Sequence, residues 1–167
     1  MIANTAMRRL LSGNPGAAEV SVPSQFRLLL AGGIKPVEGC HFLRDFFLGH
    51  NYATALPHYG DATGYECAVN SLHIEDYLAA GAAREPVALA LTGRECALFL
   101  AAKLREYGAT LAEPTSFRII VTVDGRSSTI RFHAIREGES WLAEDLEADK
   151  SPVFVHDTSD ASGELQP

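Results

Sequence analysis

The chain has 167 residues, 47% of them hydrophobic, and a formal net charge of −7. That length suits one domain able to bury a core of its own. The acidic balance argues against general nucleic-acid binding, which needs a basic footprint.

Three cysteines, Cys40, Cys67 and Cys96, lie far apart and are odd in number, so a disulfide framework is not expected and a reducing, cytoplasmic setting fits. Arg8-Arg9 precedes only Leu10-Leu11 before Ser12-Gly13-Asn14-Pro15-Gly16, an apolar run too short for a signal peptide. No apolar run is long enough to predict a membrane span.

In chain order, residues 1–16 read as a short amphipathic segment and a flexible turn, loosely attached. Pro23-Ser24 opens a helix through Phe26 to Leu30, and Gly32-Gly33 ends it. Over 34–60 the pattern is ambiguous. Phe42, Leu43, Phe46 and Phe47 fit one face of a short helix over Cys40–Leu48, and Phe46-Phe47 fits a strand as well. Pro57 and Gly60 suggest loop up to Tyr59. Tyr65, Cys67 and Val69 alternate with Glu66, Ala68 and Asn70, which predicts a strand over 63–74. Glu75–Ala80 reads as a helical turn closed at Gly81, and Val87–Leu91 as a short strand or the lead into a helix. Thr92 with Glu95 makes a capping-box pattern. A helix is therefore predicted over Gly93–Tyr107, with Cys96, Phe99, Leu100, the Lys103 stem and Leu104 on one face and Gly108 as its stop.

The stretch from Arg118 to Asp157 is the best-defined piece. Phe117, Ile119, Val121 and Val123 alternate with Arg118, Ile120 and Thr122, a strand period. Asp124-Gly125 tolerates positive φ and lets the chain reverse. Ile130, Phe132 and Ala134 then alternate with Thr129, Arg131 and His133, completing a hairpin. Beyond Gly138, Ser140 is placed to cap a short helix with Trp141, Leu142 and Leu146 facing inward and the acids outward, Trp141 anchoring helix to sheet. Pro152 fits a strand start, and Val153-Phe154-Val155 a buried strand. If this third strand neighbours the second, the two should run parallel through a right-handed crossover. The prediction is one α+β domain over 1–157 with a mixed, mainly antiparallel sheet, helices packed on it, and a C-terminal β-hairpin–helix–strand unit. The polar, acidic tail 158–167 is expected to be disordered.

Residues 137–167 hold nine acids and one base, Lys150, for a net of −8; residues 1–136 hold 13 bases and 12 acids, a net of +1. A run of acids is ordinarily a solvated face, but a field of one sign also steers a partner of the other. Elsewhere, chemistry-bearing patterns are missing. Cys40, His41, His50 and His58 lack the short regular spacings of zinc ligands, so no metal and no cofactor is expected. His73-Ile74-Glu75 matches the H-x-E of zinc deaminases, without their P-C-x-x-C. There is no G-x-S-x-G around a serine and no phosphate loop at Asp61-Ala62-Thr63-Gly64, and the cysteines sit in apolar or helical contexts. Glu66, Glu75 and Asp76 could pair as carboxylates, so a small enzyme using groups around 58–76 stays open, as does an adaptor or structural domain.

The segment Phe132–Val155, FHAIREGESWLAEDLEADKSPVFV, resembles C-terminal segments of bacterial immunity proteins of contact-dependent growth inhibition and related polymorphic toxin systems. Gly64-Tyr65-Glu66 and His73-Ile74-Glu75-Asp76-Tyr77 are similar to the middle of some of them. The resemblance implies a cytoplasmic, non-enzymatic protein that binds and blocks a cognate toxin domain. Such toxins are often nucleases with basic clefts, for which an acidic surface is suited. The partner surface is then expected at Glu137, Glu139, Glu144, Asp145, Glu147 and Asp149, together with Tyr65 and Glu66, with no direct contact to nucleic acid or membrane.

Overall fold

The computed structural model describes residues 1–14, 16, 20–47 and 52–160. Their elements are β1 (Ile2–Ala3), α1 (Thr5–Leu11), α2 (Ser24–Ala31), β2 (Ile34–Val37), β3 (Cys40–Leu43), α3 (Tyr52–Tyr59), α4 (Ala62–Val69), β4 (Leu72–His73), α5 (Pro86–Thr110), β5 (Phe117–Asp124), β6 (Ser127–Ala134) and β7 (Val153–Asp157). The fold is α+β. One sheet has the order β1-β7-β5-β6-β4 with every pairing antiparallel, and β2-β3 forms a separate antiparallel ribbon.

The hairpin forms where the alternation places it. Val121 opposes Ile130 and Ile119 opposes Phe132, across a reversal in which Gly125 takes φ +56°. Phe117, Ile119, Val121 and Val123 face the main core with Ile130, Phe132, Ala134 and Phe154. Helix α5 lies over that face and contributes Cys96, Ala97, Leu100, Ala101 and Leu104. Burying Phe132 alone stabilises the fold by about 1.5–3 kcal/mol relative to leaving it in water. The opposite face carries Ile120, Val153 and Val155.

Several elements differ from the sequence reading. Residues 62–69 are helical: the Asp61 carboxylate accepts the Gly64 N–H at 2.7 Å and caps the segment. The apparent alternation there misleads because Glu66 is an interior residue, fully buried. Cys40–Leu43 is a strand, and residues 52–59 are helical with Pro57 inside. Helix α5 begins at Pro86, a favoured first helical position, so Thr92 and Glu95 are interior and form no capping box. It also runs through Gly108, where an added Cβ would overlap the Thr115 carbonyl. Glycine at this position admits the returning chain and does not end the helix. The Lys103 side chain is exposed.

Strand β7 pairs antiparallel with β5. Strands β6 and β7 therefore run in the same direction, with β5 between them, and are not neighbours. The N-terminus is fully integrated, with β1 on β7 and Met7 buried. The folded unit also extends past residue 157. Thr158 exchanges bonds with both the N–H and the carbonyl of Phe117, each at 2.8 Å, and Arg105 donates to the carbonyls of Thr158 and Asp160. Residues 161–167 of the expected tail lie outside the described residues, as does His50.

Candidate functional site

The connection from β6 to β7, residues 135–152, crosses the second face of the sheet. Leu142 and Leu146 pack there against Ile120, Val153, Val155 and Cys67. It carries Glu137, Glu139, Glu144, Asp145, Glu147 and Asp149. The structure brings all six onto one segment, but only a single 3-10 turn, Leu146–Ala148, is helical. The other end of the chain moors this segment. Asn4 donates through Nδ2 to the carbonyls of Leu146, Asp149 and Ser151 at 3.4, 3.2 and 2.8 Å. The Leu146 carbonyl also accepts the Asp149 N–H that closes the turn, at 3.3 Å. Asn4 Oδ1 also accepts from Met7 and Val153, capping α1 and fixing the start of β7.

The acids divide by what they hold. Glu147 accepts from the N–H and hydroxyl of Thr5 at 2.8 and 3.0 Å and from Arg8 at 3.4 Å. Glu139 accepts the Thr63 N–H at 3.0 Å, tying the crossover to the start of α4. Asp145 and Asp149 take the backbone N–H groups of Glu147 and Ser151. Glu137 and Glu144 are exposed and make no hydrogen bond or ion pair among the described residues. Ser140, expected to cap a helix, donates instead to the Leu142 carbonyl.

Trp141, expected as a core anchor, is 42% exposed. Only Leu142 and Leu146 turn inward, because no helix continues the face that would have buried the indole. The Arg131 guanidinium lies 5.9 Å from its ring centroid, a cation–π distance that orients the ring while leaving a face to solvent. Beside it, Leu142, Leu146 and Ala148 floor a shallow groove of about 490 Å³ edged by Asp145, Asp149 and Lys150.

Tyr65 and Glu66 do not reach this surface: they are 1% and 0% exposed. Glu66 is instead the anchor of the crossover's first residues. Arg136 grips it bidentately at 2.8 and 2.9 Å, and the N–H groups of His41 and Ala134 add bonds of 2.6 and 2.8 Å. Burial pushes the Glu66 carboxyl up, while Arg136 pulls it down. With two N–H groups and a guanidinium converging on it, the ionised form is the one the site is built for. Arg136 also donates to the Gly39 carbonyl at 2.8 Å, so the pair joins α4, the β3 strand, β6 and the crossover.

The other candidate chemistry is similarly engaged. Glu75 accepts the Ser128 N–H at 3.1 Å. The Cys67 and Cys96 thiols are each pushed up to about 12, first by burial and then by Glu66 and Glu95 respectively, which leaves them protonated and non-nucleophilic near neutrality. His41 bonds the Tyr107 hydroxyl at 3.0 Å through Nδ1. No group of three metal-ligating side chains converges among the described residues. None of their helices is long and apolar enough to cross a membrane. The exposure of Trp141 and the buried role of Glu66 had no local signal, since each depends on partners far away in sequence.

No curated protein and no solved structure matches this chain. A family model matches residues 2–165, nearly the whole chain, and the protein belongs to the Uncharacterized protein PM0498 family.

Proposed function

We propose that the protein is a non-enzymatic binding protein that recognises a basic surface on a partner protein through the crossover over residues 135–152. The observation that carries this reading is Trp141, 42% exposed on a segment with six acids. A half-exposed tryptophan is the residue type most enriched among binding hot spots, and flanking carboxylates supply steering toward a basic partner. The crossover is moored at one end by Glu66–Arg136 and at the other by Asn4. Its shape therefore exists before binding, which lowers the ordering cost of association.

The resemblance of Phe132–Val155 to immunity proteins supports a cytoplasmic antitoxin whose partner is a toxin domain, with a nuclease of basic cleft the best fit to the charge. The test is co-purification with the protein encoded directly upstream, followed by association kinetics at low and high salt. Tight binding whose on-rate falls with salt, and is reduced by Trp141→Ala and by Glu137→Gln with Glu144→Gln, is the expected result. Binding unaffected by these changes would move the interface elsewhere. No binding at all would remove the toxin reading.

A further inference from the structure

A second surface lies on the α5 side of the sheet, with the sheet between it and the acidic crossover. A cleft of about 730 Å³ opens between the start of α2, the loop 77–83 and α5. Pro23, Ser24 and Gln25 form one wall, Tyr77 and the small residues Ala79–Ala83 another, and Ala88 and Thr92 the floor.

Three sets of donors here lack a hydrogen-bond partner among the described residues. Helix α2 has Pro23 at its N-cap and no side-chain cap, so the N–H groups of Ser24 and Gln25, which line the cleft, find no partner among the described residues. Thr92 is 5% exposed, lines the cleft and makes no hydrogen bond to any described residue, not even the back-bond to the preceding turn that a helical threonine commonly makes. Its hydroxyl is not among the sealed, unpartnered polar atoms, so it keeps some accessible surface, and Thr92 is one of the residues that line the cleft. The Tyr77 hydroxyl likewise has no partner among the described residues, and burial, then Asp76, pushes its pKa up and keeps it a neutral donor.

We propose that this cleft binds the carboxylate of a small organic acid with an apolar body. Uncapped N–H groups at a helix start carry roughly half a positive charge and favour an anion. The lining contains no Lys or Arg, so it offers no counter-charge for a phosphate dianion and suits a single negative charge. The alanines and Leu78 provide the apolar surface for the rest of the ligand.

The probes are 4-phenylbutyrate and its uncharged amide, followed by backbone amide NMR shifts of the full chain. Saturable shifts centred on Ser24–Phe26 and 77–83 with the acid, and clearly weaker binding of the amide, are expected. Thr92→Val removes one hydroxyl, and Ser24→Pro removes one N–H at a position that tolerates proline. Each should weaken the acid by about tenfold, the value of one hydrogen bond to a charged group. Equal binding of acid and amide, shifts located elsewhere, or no saturable shift would each overturn the assignment. The acid–amide comparison uses the unmodified protein and does not depend on either variant folding.

Discussion

At the scale of single residues, the most constrained group is the Glu66 carboxylate. It is fully buried and held by Arg136 and by the N–H groups of His41 and Ala134. Removing the guanidinium would leave a buried charge with only backbone donors, a far larger loss than the net worth of the pair. Arg136→Met is expected to lower stability by about 3 kcal/mol in urea denaturation, and a loss below about 1 kcal/mol would mean that the carboxyl accepts a proton or water at little cost. The same residue shows what sequence alone conceals. A glutamate between Tyr65 and Cys67 reads as the solvent side of a strand. Its partner lies at position 136, and no local pattern reveals a buried ion pair.

At the scale of elements, α5 and the crossover behave differently. Helix α5 was legible in its middle from Cys96, Leu100 and Leu104, but its ends were not. Pro86 opens it ahead of the capping-box pattern, and Gly108 lies within it. Gly108→Ala would raise helix propensity by about 1 kcal/mol. The added Cβ meets the Thr115 backbone carbonyl, which cannot step aside as a flexible side chain can. A net destabilisation of about 1–3 kcal/mol is therefore expected by thermal or chemical denaturation, and a stabilised variant would show that the 110–117 turn is free to move. In the crossover, Glu137 and Glu144 hold nothing in place. Changing both to Gln should shift stability by less than about 0.5 kcal/mol, measured beside the association kinetics. A large loss of stability would reassign them as structural and weaken their place in the binding surface.

At the scale of the whole molecule, three buried histidines link stability to pH. His41 faces Tyr107 and Arg136; its value is lowered by burial, then by Arg136. His133, with Arg118, Arg136 and Asp157 nearby, is lowered mainly by burial, and its Nε2 has no partner among the described residues. His156 stands by the N-terminal amine, Asp160, Arg105 and Asp157 and is lowered by burial, then by that amine. Each folded-state value lies below the ordinary 6.5. The unfolded chain therefore takes up protons first as pH falls. Their contribution is fully present above about pH 6.5 and declines below it, by up to about 1.4 kcal/mol per pH unit for each histidine. Urea midpoints are expected to drop between about pH 7.5 and pH 5.5, and His133→Gln should flatten that slope. A midpoint independent of pH over this range would show that these rings remain solvated.

What the sequence determined by itself was set by short-range physics. Two-residue alternation and a glycine at the turn specified the β5–β6 hairpin, and proline before serine followed by paired glycines bounded α2. Composition and the separation of these patterns were sufficient for the α+β class. The tertiary structure decided where long-range donors replaced local ones. Asn4 moors the crossover through the carbonyls of Leu146, Asp149 and Ser151, and Glu66 turns an apparent strand face into a buried anchor. The pairing of β7 with β5 gives the crossover its path over the second sheet face, with Trp141 left in solvent. In each case the deciding partner lies tens of residues away or more, and a hydrogen bond at that separation leaves no periodic trace in the chain.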